Sequence, residues 1–169
     1  MVLYATETGT AQDSADRIAR ECRRIHFTSR VLNMAAYVPV SEHPVIILSK
    51  PLLTFSQNEL ISEHLVIFVV STTDSGVEPR SMTPLWNLLL RSDLPTDLFD
   101  ETEFAVFGLG DTAYEKFCWP AKKLCRRMQS LGSTEICAIG EGDEQHRLGY
   151  VVIPLCLLRR DDASYRVSG

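Results

Sequence analysis

Four short apolar runs, each ending in a polar loop, recur along the chain. Val2 to Ala5 is followed at once by Thr6-Glu7-Thr8-Gly9-Thr10, and then by apolar residues at Ala15, Ile18, Ala19, Cys22 and Ile25. This pattern predicts a strand, a loop and an amphipathic helix. Thr10 and Asp13 are spaced as a capping box, and the outer helix face carries Asp16, Arg17, Arg20, Arg23 and Arg24. A strand is expected around Arg30 to Asn33, and another at His64 to Ser71, whose unbroken apolar run suits a parallel strand covered on both faces. Phe104 to Phe107 leads into Gly108-Leu109-Gly110-Asp111 and a helix with the inner face Phe117, Ala121, Leu124, Cys125, Met128 and Leu131. A last strand, Ile136 to Ile139, runs into Gly140-Glu141-Gly142-Asp143.

Strands alternating with helices imply right-handed crossovers and a parallel sheet, in which ligands bind outside the carboxyl ends of the strands. The polar loops are therefore expected along one edge. Two segments break the pattern. Residues 41–58 carry Pro44 and Pro51 and read as an insertion, and the tail 150–169 is apolar, then charged, without a helical period.

Composition narrows the function. With 169 residues, 45% of them apolar, the chain is sized for one packed domain. Its net charge of −5 argues against a nucleic-acid partner, because phosphate-tracking surfaces carry a basic excess. No apolar run reaches the length of a membrane span, and the first residues lack the basic flank of a signal peptide, so a soluble cytoplasmic protein with no membrane partner is expected. The five cysteines (Cys22, Cys118, Cys125, Cys137, Cys156) show no C-x-x-C spacing, and none of the four histidines has ligand-spaced partners. No metal site and no disulfide framework is expected.

The loops carry the candidate chemistry. Thr6 to Thr10 places hydroxyls and a glycine before a helix N-terminus, which suits either a bound phosphate or an unliganded helix cap. No lysine follows the glycine as a nucleotide P-loop requires. Gly108 to Ala113 satisfies G-x-G-x-x-A, the dinucleotide fingerprint, but after a late strand and with Asp111 where a pyrophosphate would lie. Asp93, Asp97, Asp100, Glu101 and Glu103 form an acidic stretch close in sequence to that loop, either a steering surface or a solvated face.

Taken together, T-E-T-G-T-A after the first strand, S-T-T-x-S-G after the third and L-G-D-T-A-Y-E-K-F after the fourth resemble the FMN domain of the diflavin reductases. These also include cytochrome P450 reductase. Thr72-Thr73 and the A-K-K-L-x-R-R-M run at 121–128 look closer to the NADPH-dependent diflavin oxidoreductases of cytosolic iron-sulfur protein assembly. The resemblance covers residues 1–40 and 59–149. It implies an α/β, flavodoxin-like, doubly wound sheet of five parallel strands in the order 2-1-3-4-5, with residues 1–149 as the FMN-binding domain. The family's closing helix has no counterpart in the atypical tail.

The resemblance further implies that Thr6, Glu7, Thr8, Gly9, Thr10 and Ala11 cradle the FMN phosphate, chiefly through N–H and hydroxyl donors. Ser71, Thr72, Thr73 and Asp74 would border one side of the flavin, with Asp74 where the family usually has glycine. The other side would be bordered by Leu109, Gly110, Asp111, Thr112, Ala113, Tyr114, Glu115, Lys116, Phe117 and Cys118, with Tyr114 stacking on the ring. Cys118 stands where asparagine is common and is assigned contact only. Asp143 and Glu144 match an acidic pair beside the flavin edge. No residue is assigned a catalytic role. The implied function is an oxidoreductase relay, taking electrons from NADPH and FAD held in C-terminal domains that this sequence lacks, and passing them through FMN to an anamorsin-type iron-sulfur acceptor. The alternatives are a stand-alone flavodoxin-type carrier and a flavin-free interaction module on the same fold.

Overall fold

The computed structural model describes residues 1–37, 60, 63–73 and 76–146. The expected insertion at 41–58, Asp74 and the tail 150–169 lie outside the described residues. In chain order the elements are β1 (Val2–Ala5), α1 (Thr10–Arg24), β2 (Val31–Asn33), a 3-10 turn (Met34–Tyr37), β3 (Leu65–Ser71), α2 (Thr83–Leu89), β4 (Glu103–Gly110), α3 (Trp119–Ser130), β5 (Thr134–Glu135) and β6 (Gly140–Asp143).

All strand pairs are parallel, and the order is β2-β1-β3-β4-β5, with β6 also on β4. This is the doubly wound α/β topology expected from the alternation. The fifth position differs in detail. Because β3 occupies one side of β4 along its length, β5 and β6 both lie on the other side. There Glu135 pairs with Phe104 and Gly140 with Phe107, so the four residues Ile136–Ile139 oppose only Ala105 and Val106. The apolar stretch expected to be the fifth strand is thus a bulge between two short strand pieces.

Alternation along the strands divides the core. Leu3, Ala5, Val66, Phe68, Val70, Phe104 and Val106 pack with Met82, Leu85, Trp86 and Leu89 around α2 and with Ala121, Leu124, Cys125 and Met128 of α3. Val2, Ile67, Val69, Phe107 and Leu109 turn the other way, onto Ala11, Ala15 and Ile18 of α1. The registers Ala5 with Val70, Ser71 with Leu109 and Gly110 with Asp143 bring four strand ends to one edge.

The acidic stretch is at the other end of the sheet. Glu103 opens β4, and the Phe99 N–H donates to the carbonyl of Leu131, just past the end of α3. Eight strand residues, roughly 23 Å at about 3.3 Å per step, separate this pole from the loops, so the stretch that is close to the loop in sequence is distant from it in space.

Candidate functional site

The first loop is shaped by its own side chains. The Thr6 hydroxyl accepts the Gly9 N–H at 2.9 Å, and Gly9 takes φ +98° immediately before α1. The expected capping box does not form, because the helix begins at Thr10 with Gly9 as its cap and no side-chain cap bond. The first intrahelical bond runs from the Asp13 N–H to the Gly9 carbonyl at 3.1 Å. The N–H groups of Thr10, Ala11 and Gln12 are therefore left without helical acceptors, as at any helix start. The hydroxyls of Thr8 and Thr10 lie 2.9 Å apart beside them. Ala11 is buried, whereas Thr8 is exposed. The Glu7 carboxylate accepts the Arg80 N–H, which gives that charge a partner in a loop otherwise made of donors.

Two residues that the sequence does not single out tie this loop to the segment before α2. The Thr6 N–H donates to the Ser81 hydroxyl at 3.0 Å, and the same hydroxyl lies 3.2 Å from the Thr6 carbonyl. Ser81 and Arg80 sit in a stretch with no periodic signal, so only the folded structure reveals them.

The second loop closes on itself and on its neighbours. The Ser71 hydroxyl donates to the Ala5 carbonyl at 3.2 Å, and the Thr72 N–H donates to the Leu109 carbonyl at 2.8 Å. The Thr73 hydroxyl donates to the Val77 carbonyl at 2.8 Å, and the Gly76 N–H donates back to the Thr73 carbonyl at 2.8 Å. The Thr72 hydroxyl is buried with no hydrogen-bond partner among the described residues. A buried hydroxyl left this way is costly unless a ligand completes it.

The third loop, between β4 and α3, presents exposed Thr112, Ala113, Tyr114, Glu115 and Lys116, with Asp111 half-buried. Tyr114 is 51% exposed, unusual for so large a ring. Leu109 and Cys118 are buried instead, Leu109 in the α1 side of the core and Cys118 behind the loop. A side chain built on Gly110 would lie 3.3 Å from the Cys118 Sγ and 3.1 Å from the Phe117 ring, so the loop folds back tightly over the strand. Burial, with Glu141 adding, pushes the Cys118 thiol up to about 12, leaving it a neutral, unreactive thiol at neutral pH. Lys122 pairs with Glu141 at 2.7 Å and donates to the Phe117 carbonyl at 3.0 Å.

This geometry also answers the dinucleotide fingerprint. Gly108 and Gly110 belong to β4, paired with Glu141 and Asp143, and Gly108 meets α3, where an added Cβ would lie 2.8 Å from that of Ala121. The glycines serve strand-to-helix packing and form no phosphate turn.

Asp143 ends β6 and Glu144 follows it, and both meet the third loop, with the Glu144 N–H donating to the Gly110 carbonyl at 2.9 Å. Thr6 to Ala11, Ser71 to Thr73 and the 109–118 loop thus converge with this acidic pair on one edge. Among the described residues there is no group of three or more His, Cys, Asp or Glu side chains fit to hold a metal ion. Nor is any described helix long and apolar enough to cross a membrane.

The sequence model of the flavodoxin family matches residues 2–150. The chain belongs to the flavodoxin family. Its described fold is shared with solved flavodoxins. Flavodoxin 2 from Bacillus cereus superposes with a TM-score of 0.63 at 21% identity, over 87% of this chain and 86% of that one. The Streptococcus pneumonia TIGR4 flavodoxin gives 0.61 at 20%, over 84% and 82%. In sequence this flavodoxin domain is 40% identical over 148 residues to NADPH-dependent diflavin oxidoreductase 1 of Mycosarcoma maydis, covering 88% of this chain and 20% of the relative. The Bos taurus protein of the same name is 40% identical over 149 residues, covering 88% and 22%. The chain thus spans about a fifth of the length of these curated relatives.

FMN is the cofactor of this flavodoxin domain, and the residues present fit it. The open donors at the head of α1 suit a terminal phosphate, the orphaned Thr72 hydroxyl suits a polar edge, and exposed Tyr114 offers a face for a flat ring.

Proposed function

We propose that this domain relays electrons from NADPH, by way of an FAD-bearing reductase portion, to an anamorsin-type iron-sulfur acceptor in cytosolic iron-sulfur cluster assembly. The cytoplasm is its place of action. The 40% identity to proteins named NADPH-dependent diflavin oxidoreductase 1 carries this reading, set against 17–21% to the solved flavodoxins.

Bound FMN supplies one- and two-electron redox chemistry, and the protein supplies its position and surroundings. The N–H groups of Thr10 and Ala11 and the hydroxyls of Thr8 and Thr10 would hold the phosphate, with the helix dipole favouring its charge. Thr72 would donate to or accept from a polar group of the ring. Tyr114 would cover one ring face, excluding water on that side. A second reading, a free-standing flavodoxin-type carrier, draws on the match to whole bacterial flavodoxins, 86% of whose length is covered in one case.

The decisive experiment is an FMN titration of the apoprotein followed by flavin fluorescence. Thr8→Ala with Thr10→Ala is expected to weaken binding by roughly tenfold per hydroxyl, since each charge-assisted bond is worth about 1.5 kcal/mol or more. Unchanged affinity in the double variant refutes the phosphate assignment. Reduction of the FMN form by an NADPH-dependent FAD reductase, followed by transfer to an iron-sulfur protein, separates the relay from the free-standing carrier.

A further inference from the structure

The loop that bears Tyr114 is held by two carboxylates and a glutamine. One oxygen of Asp143 accepts the Thr112 N–H at 3.1 Å and the Gln145 N–H at 3.1 Å, and the other accepts the Thr112 hydroxyl at 2.7 Å. The Gln145 side-chain amide donates to one oxygen of Asp111 at 3.0 Å, whose other oxygen accepts the Ala113 N–H at 2.7 Å. These bonds form a closed circuit from β6 across to the third loop and back. The hydrogen bond from the Thr112 hydroxyl holds the Asp143 carboxyl below the usual carboxylate range, so the acceptor is charged at neutral pH.

The circuit leaves Asp143 committed. Both of its oxygens already bond to the protein, two of the three bonds going to Thr112. Tyr114, two residues further on, has its N–H held by the Asp111 carbonyl at 3.1 Å, while its ring is 51% exposed with no side-chain hydrogen bond among the described residues. The ring's place is therefore set through the backbone of 111–114. A loop that is ordered before a ligand arrives spares the ligand that ordering cost.

We infer that Asp143 is a positioning residue, which fixes the third loop through Thr112 and thereby readies Tyr114 for the flavin, instead of touching the flavin itself. This rests on the FMN reading of the site and adds to it a residue that acts at one remove. Glu144, next to it, is exposed, and its N–H donates to the Gly110 carbonyl.

A double-variant cycle in the full 169-residue chain tests the inference. Asp143→Ala and Thr112→Val are each expected to weaken FMN binding about fivefold or more. The combined variant should be no weaker than the worse single one, because the second change finds no clamp left to break. Thr112→Ser, which keeps the hydroxyl, should restore affinity to within about twofold of the original. Losses that multiply in the double variant, or an Asp143→Ala chain with its original affinity, overturn the inference. Trypsin cleavage after exposed Lys116 in the flavin-free chain gives an independent reading of the same loop. Faster cleavage is expected in both single variants, with the double variant no faster than Asp143→Ala, and equal rates in all four proteins overturn the clamp. A chain that takes up no FMN yet shows the cleavage pattern refutes the FMN reading and leaves the clamp standing.

Discussion

Two glycines at the loops show how different physical demands select the same residue. At Gly9, φ is +98° and an added Cβ would meet nothing within 4 Å, so only backbone conformation asks for glycine. At Gly76, φ is +73° and the Cβ would lie 2.3 Å from the Cβ of Lys116, so conformation and contact both ask for it. Asparagine tolerates positive φ better than alanine does. Gly9→Asn is therefore expected to be nearly neutral, Gly9→Ala to cost about 1 kcal/mol and Gly76→Ala about 2 to 4 kcal/mol, adding overpacking to strain. Urea unfolding of the three variants gives the order directly. Equal costs for the two alanines would mean that the third loop yields without penalty. Glycine is visible in a sequence, but which of these demands it answers is not, because the approach of Lys116 comes from forty residues away in the chain.

Elements differed in how far they could be read from the pattern. β1 matches the apolar run from Val2 to Ala5, and β3 and β4 are the two continuous apolar stretches, because buried parallel strands need apolar residues on both faces. α2 escapes the periodic reading, since Thr83–Leu89 is seven residues long with a proline in its first turn. The edge strand misleads for a different reason. Apolar Ile136–Ile139 bulges out, while the polar run Gly140–Asp143 pairs with β4, because at a sheet edge the backbone register decides and the side chains follow. Part of what holds α2 is equally hidden. The Arg127 guanidinium, from the last turn of α3, donates to the Leu89 carbonyl and, at 3.0 Å, to the Arg91 carbonyl, meeting acceptors that the end of α2 leaves open. Arg127→Met should cost about 1 to 2 kcal/mol, seen as a lower urea midpoint. Arg126→Gln, on the exposed side of the same turn, should stay within about 0.5 kcal/mol of the original.

At the scale of the molecule, the described loops offer one candidate phosphate cradle and one candidate ring-covering loop, and the G-x-G segment that could have formed a second cradle is occupied as strand. The gathering of the loops on one edge was legible from the sequence because they follow parallel strand ends in order. The pairing of Asp143 with Thr112 was not, since the two stand 31 positions apart and meet only through the β4–β6 register. A single cradle predicts that the purified chain, even fully loaded with FMN, consumes no NADPH by itself beyond the rate of free FMN. Loss of NADPH absorbance is the measurement, and sustained turnover would place a nicotinamide site within these residues.

The two-residue excess at Ile136–Ile139 has a consequence for how copies of the protein meet. An outer strand with a straight row of unpaired N–H and carbonyl groups invites another chain to add itself, the route to edge-to-edge aggregation. Here that outer row is broken into pieces of two and four residues with a bend between them, and β2, at the opposite margin, is three residues long. Neither margin among the described strands offers an incoming strand a long, flat template. The irregularity that hides the last strand from the hydrophobic pattern thus helps to keep the folded sheets of neighbouring molecules apart.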